Sequence, residues 1–285
     1  MSSELRNLAV VGHPIAHSLS PRLHQAAYEV LGLPWSYEAL DVADGEFTNF
    51  LETADTSLRG ISVTMPHKTG AFNASTTRDL FSEKTRSANT LLCEYDDNGS
   101  RTLKGFNTDV FGIIHAFADS GLHNAKHVAI IGGGATASSA VAAAAELGAE
   151  HVSIIVRTPD KAFYLESVGQ ECGVNVSIHS IEDIVLISEV DVAISTLPND
   201  VVLSLSSLSR TDNATLLDVA YSPWPSVLAG EWASAGGEVV SGLRMLAHQA
   251  LMQVRIFVGG SPFEVLPQEE EVKVAMFGAV GLETF

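Results

Sequence analysis

Two cysteines in 285 residues, Cys93 and Cys172, are too few for a disulfide framework or a thiolate metal cluster. They suit a reducing compartment, so a cytoplasmic setting is expected. Positive charge is also scarce. Sixteen Lys and Arg stand against 34 Asp and Glu, a net charge of −18. Such a surface repels phosphate backbones and anionic lipid, so neither nucleic acid nor membrane is an expected partner. An anionic small molecule has to be held by a local basic pocket set against the global field. Long apolar runs are missing as well, since no uncharged stretch reaches the roughly 18 residues of a membrane span. The N-terminus, Met1-Ser2-Ser3-Glu4-Leu5-Arg6, carries a single base and is followed only by the short apolar run Leu8 to Val11, unlike a secretory leader. His13 and His17 lie four apart on a proline-containing loop without acidic or cysteine partners, so no metal is expected there.

What is present is core-forming material. Apolar residues make up 46% of the chain and charged residues 18%, a composition that excludes bulk disorder. The length fits two domains or one large one. Short β-branched runs alternate with amphipathic, alanine-rich segments. Leu8 to Val11, Tyr37 to Val42, Ile61 to Met65, Asn89 to Tyr95 and Thr102 to Phe106 read as strands, with Asp96-Asp97-Asn98-Gly99 as a hairpin turn. Ser20-Pro21 reads as a helix start, Ser as the cap and Pro at the first helical position. Val110 to Leu122 reads as a helix. From His127 the texture changes to strands at His127 to Ile131, Val152 to Val156, Val174 to Ile178, Val190 to Ser195, Leu216 to Val219 and Val239 to Val240, separated by helical segments. That alternation implies an α/β fold of βαβ units and a mostly parallel sheet. The change of texture places domain boundaries near 110 and 241.

Two residue groups carry chemistry. The first is Gly132-Gly133-Gly134-Ala135-Thr136-Ala137, which follows one strand and opens a helix. Glycine lets the backbone turn sharply and approach a pyrophosphate, the helix N-terminus offers N–H groups, and the small Ala137 permits close packing. An NAD site expects an acidic residue at the end of the second strand, about 20 residues on. Here Val156 is followed by Arg157, Thr158 and Lys161. A guanidinium pairs well with a 2′-phosphate, so the cofactor is expected to be NADP. The second group is Ser18, Ser20, Thr64, Lys68, Asn89 and Asn107-Thr108-Asp109, all next to strand ends, where open α/β sheets place their sites. Each has an ordinary structural reading too: Ser20 or Asp109 as a helix cap, Lys68 as a surface lysine.

The segments Gly12-His13-Pro14-Ile15-Ala16-His17-Ser18-Leu19-Ser20-Pro21, Ser62-Val63-Thr64-Met65-Pro66-His67-Lys68, Ala88-Asn89-Thr90-Leu91 and Asn107-Thr108-Asp109-Val110-Phe111-Gly112 stand in one order. They are followed by the glycine turn, Asp218-Val219-Ala220-Tyr221-Ser222-Pro223 and Met245-Leu246-Ala247-His248-Gln249-Ala250. In this the chain resembles the shikimate dehydrogenases of the NADP-dependent biosynthetic type, from about Val10 to Gly259. The resemblance implies an open α/β substrate domain, residues 1–110 and 241–285, and an inserted Rossmann domain, residues 111–240, with a cleft between. It implies Lys68 and Asp109 as the catalytic pair. Ser18, Ser20, Thr64, Asn89, Tyr221 and Gln249 would hold the substrate's hydroxyls and carboxylate. The reaction would be the reversible reduction of 3-dehydroshikimate to shikimate with NADPH, by a monomer or homodimer.

The chain departs from that family's pattern in places. Ser62 stands where Asn is usual, Arg86-Ser87-Ala88 where Gly-Ala-Val is usual, and Val156 where Asn is usual, and Ser195-Thr196-Leu197-Pro198 is off pattern. Two other readings stay open: a broader quinate/shikimate dehydrogenase using NAD, and a homologue that senses ligand without turnover. The first is disfavoured by Arg157, the second by the presence of both Lys68 and Asp109.

Overall fold

The computed structural model describes residues 5–182, 190–198, 201, 203 and 214–284; Met1 to Glu4, part of the N-terminal segment read above, lie outside the described residues. The chain divides into two compact units, one formed by Met1–Thr108 with Ala247–Phe285, the other by Asp109–Leu246. Among the described residues no helix is long and apolar enough to cross a membrane.

The first unit is built on strands β1 (Arg6–Gly12), β2 (Trp35–Asp41), β3 (Leu58–Val63), β4 (Thr77–Arg78), β5 (Thr90–Tyr95) and β6 (Arg101–Phe106) in the order β2-β1-β3-β5-β6-β4. The sheet is mixed. β1 pairs in parallel with β2 and β3, but β5 runs antiparallel to both β3 and β6. The parallel sheet expected from the alternation after His127 belongs to the second unit, and the hairpin expected at Asp96-Asp97-Asn98-Gly99 is found here. The hairpin turn forces antiparallel pairing of β5 with β6, with Gly99 at φ +78° and the Asp96 carboxylate accepting from the Asn98 and Ser100 N–H groups at 2.9 and 2.8 Å.

Helix α1 (Ser20–Leu31) buries Leu23 and Ala27 and ends at Gly32 in the left-handed conformation. Ser20 is not its cap. It is already the first helical residue, with Leu19 in the cap position and no side-chain cap bond. The Ser18 hydroxyl instead accepts from the Ser20 N–H at 3.3 Å. Short helices α2 (Phe47–Thr53), α3 (Lys68–Ala74) and α4 (Leu80–Thr85) link the strands, and periodicity does not reveal elements this short.

Among the described residues of the second unit the six strands are parallel: β7 (His127–Ile131), β8 (His151–Val156), β9 (Asn175–Ser180), β10 (Val192–Ser195), β11 (Thr215–Asp218) and β12 (Glu238–Ser241), in the order β12-β11-β10-β7-β8-β9. After β7 the chain builds outward through β8 and β9, then returns to β10 on the other side of β7. That reversal is the switch point at which doubly wound sheets bind ligands. Helices α5 (Asp109–Asp119), α6 (Ala135–Glu146), α7 (Tyr164–Cys172) and α8 (Val227–Ser234) belong to this unit. Residues Ala137 to Ala144 of α6 are all buried, which explains its alanine content: a helix packed on most sides has room only for small side chains.

Helix α9 (Gly242–Gly259) begins in the second unit and ends in the first, and α10 (Glu269–Ala279) follows. From Ala247 to Val254 every residue of α9 is buried. Phe257 is fully buried against Gly60 of β3, where a Cβ would lie 2.3 Å from the ring. Gly60→Ala is therefore expected to displace Phe257 and cost about 1–3 kcal/mol. Thermal denaturation checks this, and an unchanged Tm would show that α9 accommodates the methyl.

Candidate functional site

In the first unit the sheet order gathers the candidate residues at one end. β1 and β3 run in parallel, so the segments after Gly12 and Val63 leave from the same edge. Because β5 is antiparallel to β3, its start lies there too, with Thr90 opposite Ser62. The end of β6 joins them, Phe106 opposite Thr90. Ser18, Thr64, Lys68, Asn89 and Asn107-Thr108 all sit just beyond these ends. Gly12 is required at this edge, since a Cβ there would meet the Thr64 methyl at 2.3 Å. Asn107 is pinned by its side chain to the Thr85 hydroxyl at 2.8 Å and by its N–H to the Asp79 carboxylate at 3.2 Å. Burial pushes the Asp79 carboxyl above the ordinary range.

A buried polar network runs through this edge, and two backbone groups fix the orientation of the Asn89 and Gln253 carboxamides in it. The Thr108 N–H can only donate, so the atom it meets at 2.9 Å is the Asn89 carboxamide oxygen. The Asn89 Nδ2 then donates to the Thr108 hydroxyl at 2.9 Å and to Gln249 Oε1 at 3.2 Å. The Asn89 backbone carbonyl can only accept. It takes the Val63 N–H at 2.7 Å and Gln253 Nε2 at 3.3 Å. Gln253 Nε2 also reaches the Thr90 hydroxyl at 3.0 Å, which donates to Asn89 Oδ1 at 2.8 Å. Gln253 Oε1 must therefore accept, from Ser62 at 2.8 Å, and the Ser62 hydroxyl accepts in turn from Tyr37 at 2.6 Å.

His24 closes this network on the α1 side. Its ring stacks on Tyr37 at 3.9 Å, and its Nδ1 lies 2.9 Å from the Ser20 carbonyl, which accepts its proton. Burial holds His24 down to about 4, so it is neutral near pH 7, and pushes the Tyr37 phenol up. Ser20 is buried and its hydroxyl also bonds Tyr37.

Gln253, Ser62 and Tyr37 are the residues that sequence reading missed. Gln253 is one helical turn from Gln249 on α9, a spacing that could have marked it. Ser62, noted only as a departure from Asn, is the link between β3 and α9.

Lys68 is the first residue of α3 and is buried, and its backbone carbonyl accepts from the Ala88 N–H at 3.1 Å. A cation at a helix start is opposed by the helix dipole, so helix stability does not explain a lysine there. Asp109 is the first residue of α5 and is likewise buried. It directly follows the pinned pair Asn107-Thr108. Tyr221 follows β11, and burial raises its phenol.

In the second unit Gly132, Gly133 and Gly134 join β7 to α6 at the switch point. Gly132 has φ +115°, and a Cβ there would lie 2.3 Å from Thr196 Oγ1. At Gly133 it would lie 3.0 Å from Val156 Cγ1. Ala135 opens α6, Thr136 lies in its first turn, and Ala137 is fully buried, its N–H bonded to the Gly134 carbonyl at 2.9 Å. Beside the turn is a cavity of about 440 Å³ whose lining includes Gly132, Gly133, Val156, Arg157, Thr158 and Lys161. A side-chain-free cradle, a helix start and two cations at one cavity fit the pyrophosphate and 2′-phosphate of NADP. No cluster of three or more metal-ligating side chains occurs among the described residues.

The parallel sheet with a glycine turn at its switch point, and a second α/β unit with its own polar site, define a two-unit α/β protein of the dinucleotide-binding class. Residues 10–91 match the model for a shikimate dehydrogenase substrate binding domain, and residues 116–221 the model for shikimate / quinate 5-dehydrogenase. A shikimate dehydrogenase (NADP(+)) of Methanothermobacter thermautotrophicus is 31% identical over 268 residues, covering 89% of this chain and 91% of the relative. Among solved structures, Mycobacterium tuberculosis shikimate dehydrogenase is 36% identical with a TM-score of 0.79, covering 95% of this chain and 98% of that one. Shikimate 5-dehydrogenase from Thermus thermophilus, in complex with NADP(H) and shikimate, is 27% identical with a TM-score of 0.79, over 96% and 99% of the two chains. The chain belongs to the shikimate dehydrogenase family.

The Gln253 network generates a direct test. Gln253→Leu leaves the Ser62 and Thr90 hydroxyls without their amide partner in the interior, and is expected to cost about 1–3 kcal/mol. The midpoint of urea denaturation should fall accordingly. An unchanged midpoint would remove Gln253 from the support of Asn89.

Proposed function

We propose that the chain catalyses the reversible reduction of 3-dehydroshikimate to shikimate with NADPH, a step of aromatic amino-acid biosynthesis in the cytoplasm. The observation that carries this reading is the buried network at the strand ends, which orients Asn89 and Gln249 beside a lysine that its own helix does not call for. The family's named activity and the two-cation cavity of the second unit support it. Cys93 and Cys172 are thiols, neither in a disulfide, which accords with a reducing compartment.

When bound, NADPH supplies the hydride. The remaining work falls to the chain's side chains. Negative charge grows on the substrate's ketone oxygen as its carbon is reduced. Lys68, as an ammonium, stabilises that charge and delivers the proton. Asp109 shares in the proton relay as the second member of the catalytic pair. Ser18, Ser20, Thr64, Asn89, Tyr221 and Gln249 hold the hydroxyls and carboxylate. Gly132, Gly133, Gly134, Ala135 and Thr136 receive the pyrophosphate, with Ala137 allowing α6 to pack closely behind them, and Arg157, Thr158 and Lys161 receive the adenosine 2′-phosphate. A cation at the end of β8 favours NADP over NAD, which disfavours the NAD-dependent quinate reading.

Absorbance at 340 nm, crossing shikimate and quinate with NADP and NAD, tests this function: turnover is expected to be fastest with shikimate and NADP. Lys68→Ala should lower kcat by about 10²–10⁴ with a much smaller change in substrate KM, since Lys68 acts on charge that develops in the transition state. A near-normal kcat would exclude Lys68 from the chemistry.

Arg157→Ala should raise the KM for NADP by tens to hundreds of times, the equivalent of a charge-assisted bond of ~1.5–3 kcal/mol, and leave NAD nearly unchanged. Equal losses for both cofactors would overturn the phosphate role.

A further inference from the structure

A tyrosine outside the glycine turn holds it in shape. Tyr164, the first residue of α7, brings its hydroxyl 3.1 Å from the Gly133 carbonyl oxygen and 3.0 Å from that of Gly134. One phenolic proton is thus shared between two successive carbonyls of the motif. The residue is 41% exposed, yet burial pushes its phenol up to about 12, so near neutral pH it is a donor.

The turn has need of such a restraint. Gly133 is packed against Val156 and Ala162, but the position a Cβ would take at Gly134 faces open space, with no atom within 4 Å. The Gly134 carbonyl also accepts the Ala137 N–H at 2.9 Å from within α6, and Tyr164 adds to that restraint and extends it to Gly133. The peptide unit is planar and trans, so each carbonyl points opposite to the N–H of the residue that follows. Fixing the carbonyls of Gly133 and Gly134 fixes the N–H directions of Gly134 and Ala135. Those N–H groups stand at the start of α6, where a pyrophosphate is received.

We infer that Tyr164 is a positioning residue for the dinucleotide, holding the Gly134 and Ala135 N–H groups toward the pyrophosphate. The inference rests on the NADP reading above. It also joins two parts of the cofactor site, because Tyr164 begins the helix that follows Arg157, Thr158 and Lys161. The clamp serves the pyrophosphate, which NADP and NAD share, while Arg157 serves the 2′-phosphate, which only NADP has.

Isothermal titration of NADP⁺, NAD⁺ and adenosine 2′-monophosphate into wild type, Tyr164→Phe and Arg157→Ala separates these roles. The monophosphate has the 2′-phosphate but no pyrophosphate. Tyr164→Phe keeps the ring and removes only the donor. It is expected to weaken NADP⁺ and NAD⁺ by the same factor, about 3- to 10-fold for one neutral hydrogen bond, and to leave the monophosphate within twofold. Arg157→Ala is expected to weaken NADP⁺ and the monophosphate and to spare NAD⁺. Unchanged dinucleotide binding in Tyr164→Phe overturns the inference. So does a parallel loss for all three ligands, which would mean a general disturbance of the unit. A wild-type protein that binds none of the three overturns the cofactor reading, and this inference with it.

Discussion

The carboxamide of Asn89 is the constraint on which the first unit's site depends. It is buried, and a buried amide has to find partners for both its oxygen and its nitrogen. Those partners come from three separate parts of the chain: Thr90 on β5, Thr108 after β6 and Gln249 on α9. The Asn89 backbone carbonyl adds Val63 and Gln253. One residue therefore ties the ends of β3, β5 and β6 to a helix about 160 positions further along the sequence. Because Thr108 N–H can only donate and the Asn89 carbonyl can only accept, the carboxamides of Asn89 and Gln253 each have a single orientation. A site held in this way presents its polar groups already oriented, and less of the substrate's binding energy is spent on ordering them.

The second unit solves a different problem. The chain as a whole carries a net charge of −18, and its proposed cofactor is a polyanion. The mean field opposes binding, so the attraction has to be local. In the proposed mode of binding, backbone N–H groups at the start of α6 would supply part of it without any formal charge, and Arg157 and Lys161, which line the cavity, would supply the rest. The glycines are there for room, since a Cβ at Gly132 would strike Thr196 and one at Gly133 would press on Val156. Val156, where the family pattern has Asn, gives that wall an apolar side chain in place of a polar contact.

Much of this was legible in the chain itself. The βαβ alternation after His127 gave a parallel sheet because buried β-branched runs separated by alanine-rich helices have few other ways to pack. The glycine turn was readable because its chemistry is local: backbone freedom, helix start and small third residue are all properties of consecutive residues. Lys68, Asn89 and Asp109 stood out by lying next to strand ends. The antiparallel β5 was harder to see. Its hairpin turn was recognised, but that the hairpin joins the same sheet as β1 to β3 depends on strand order, which adjacent residues do not encode.

Sequence alone determined which residue types were available, where strands gave way to turns, and that charge had to be concentrated locally to hold an anion. Tertiary structure decided which of those residues meet. Ser20 looked like a helix cap and became a buried partner of Tyr37. Ser62 looked like a lost asparagine and became the bridge between Tyr37 and Gln253. Gln253 and Tyr164 carried no motif at all. The reason is that a hydrogen bond reads distance and direction in space: Ser62 and Gln253 are 191 residues apart in the chain and 2.8 Å apart in the fold, and only the packing of α9 against the sheet closes that gap.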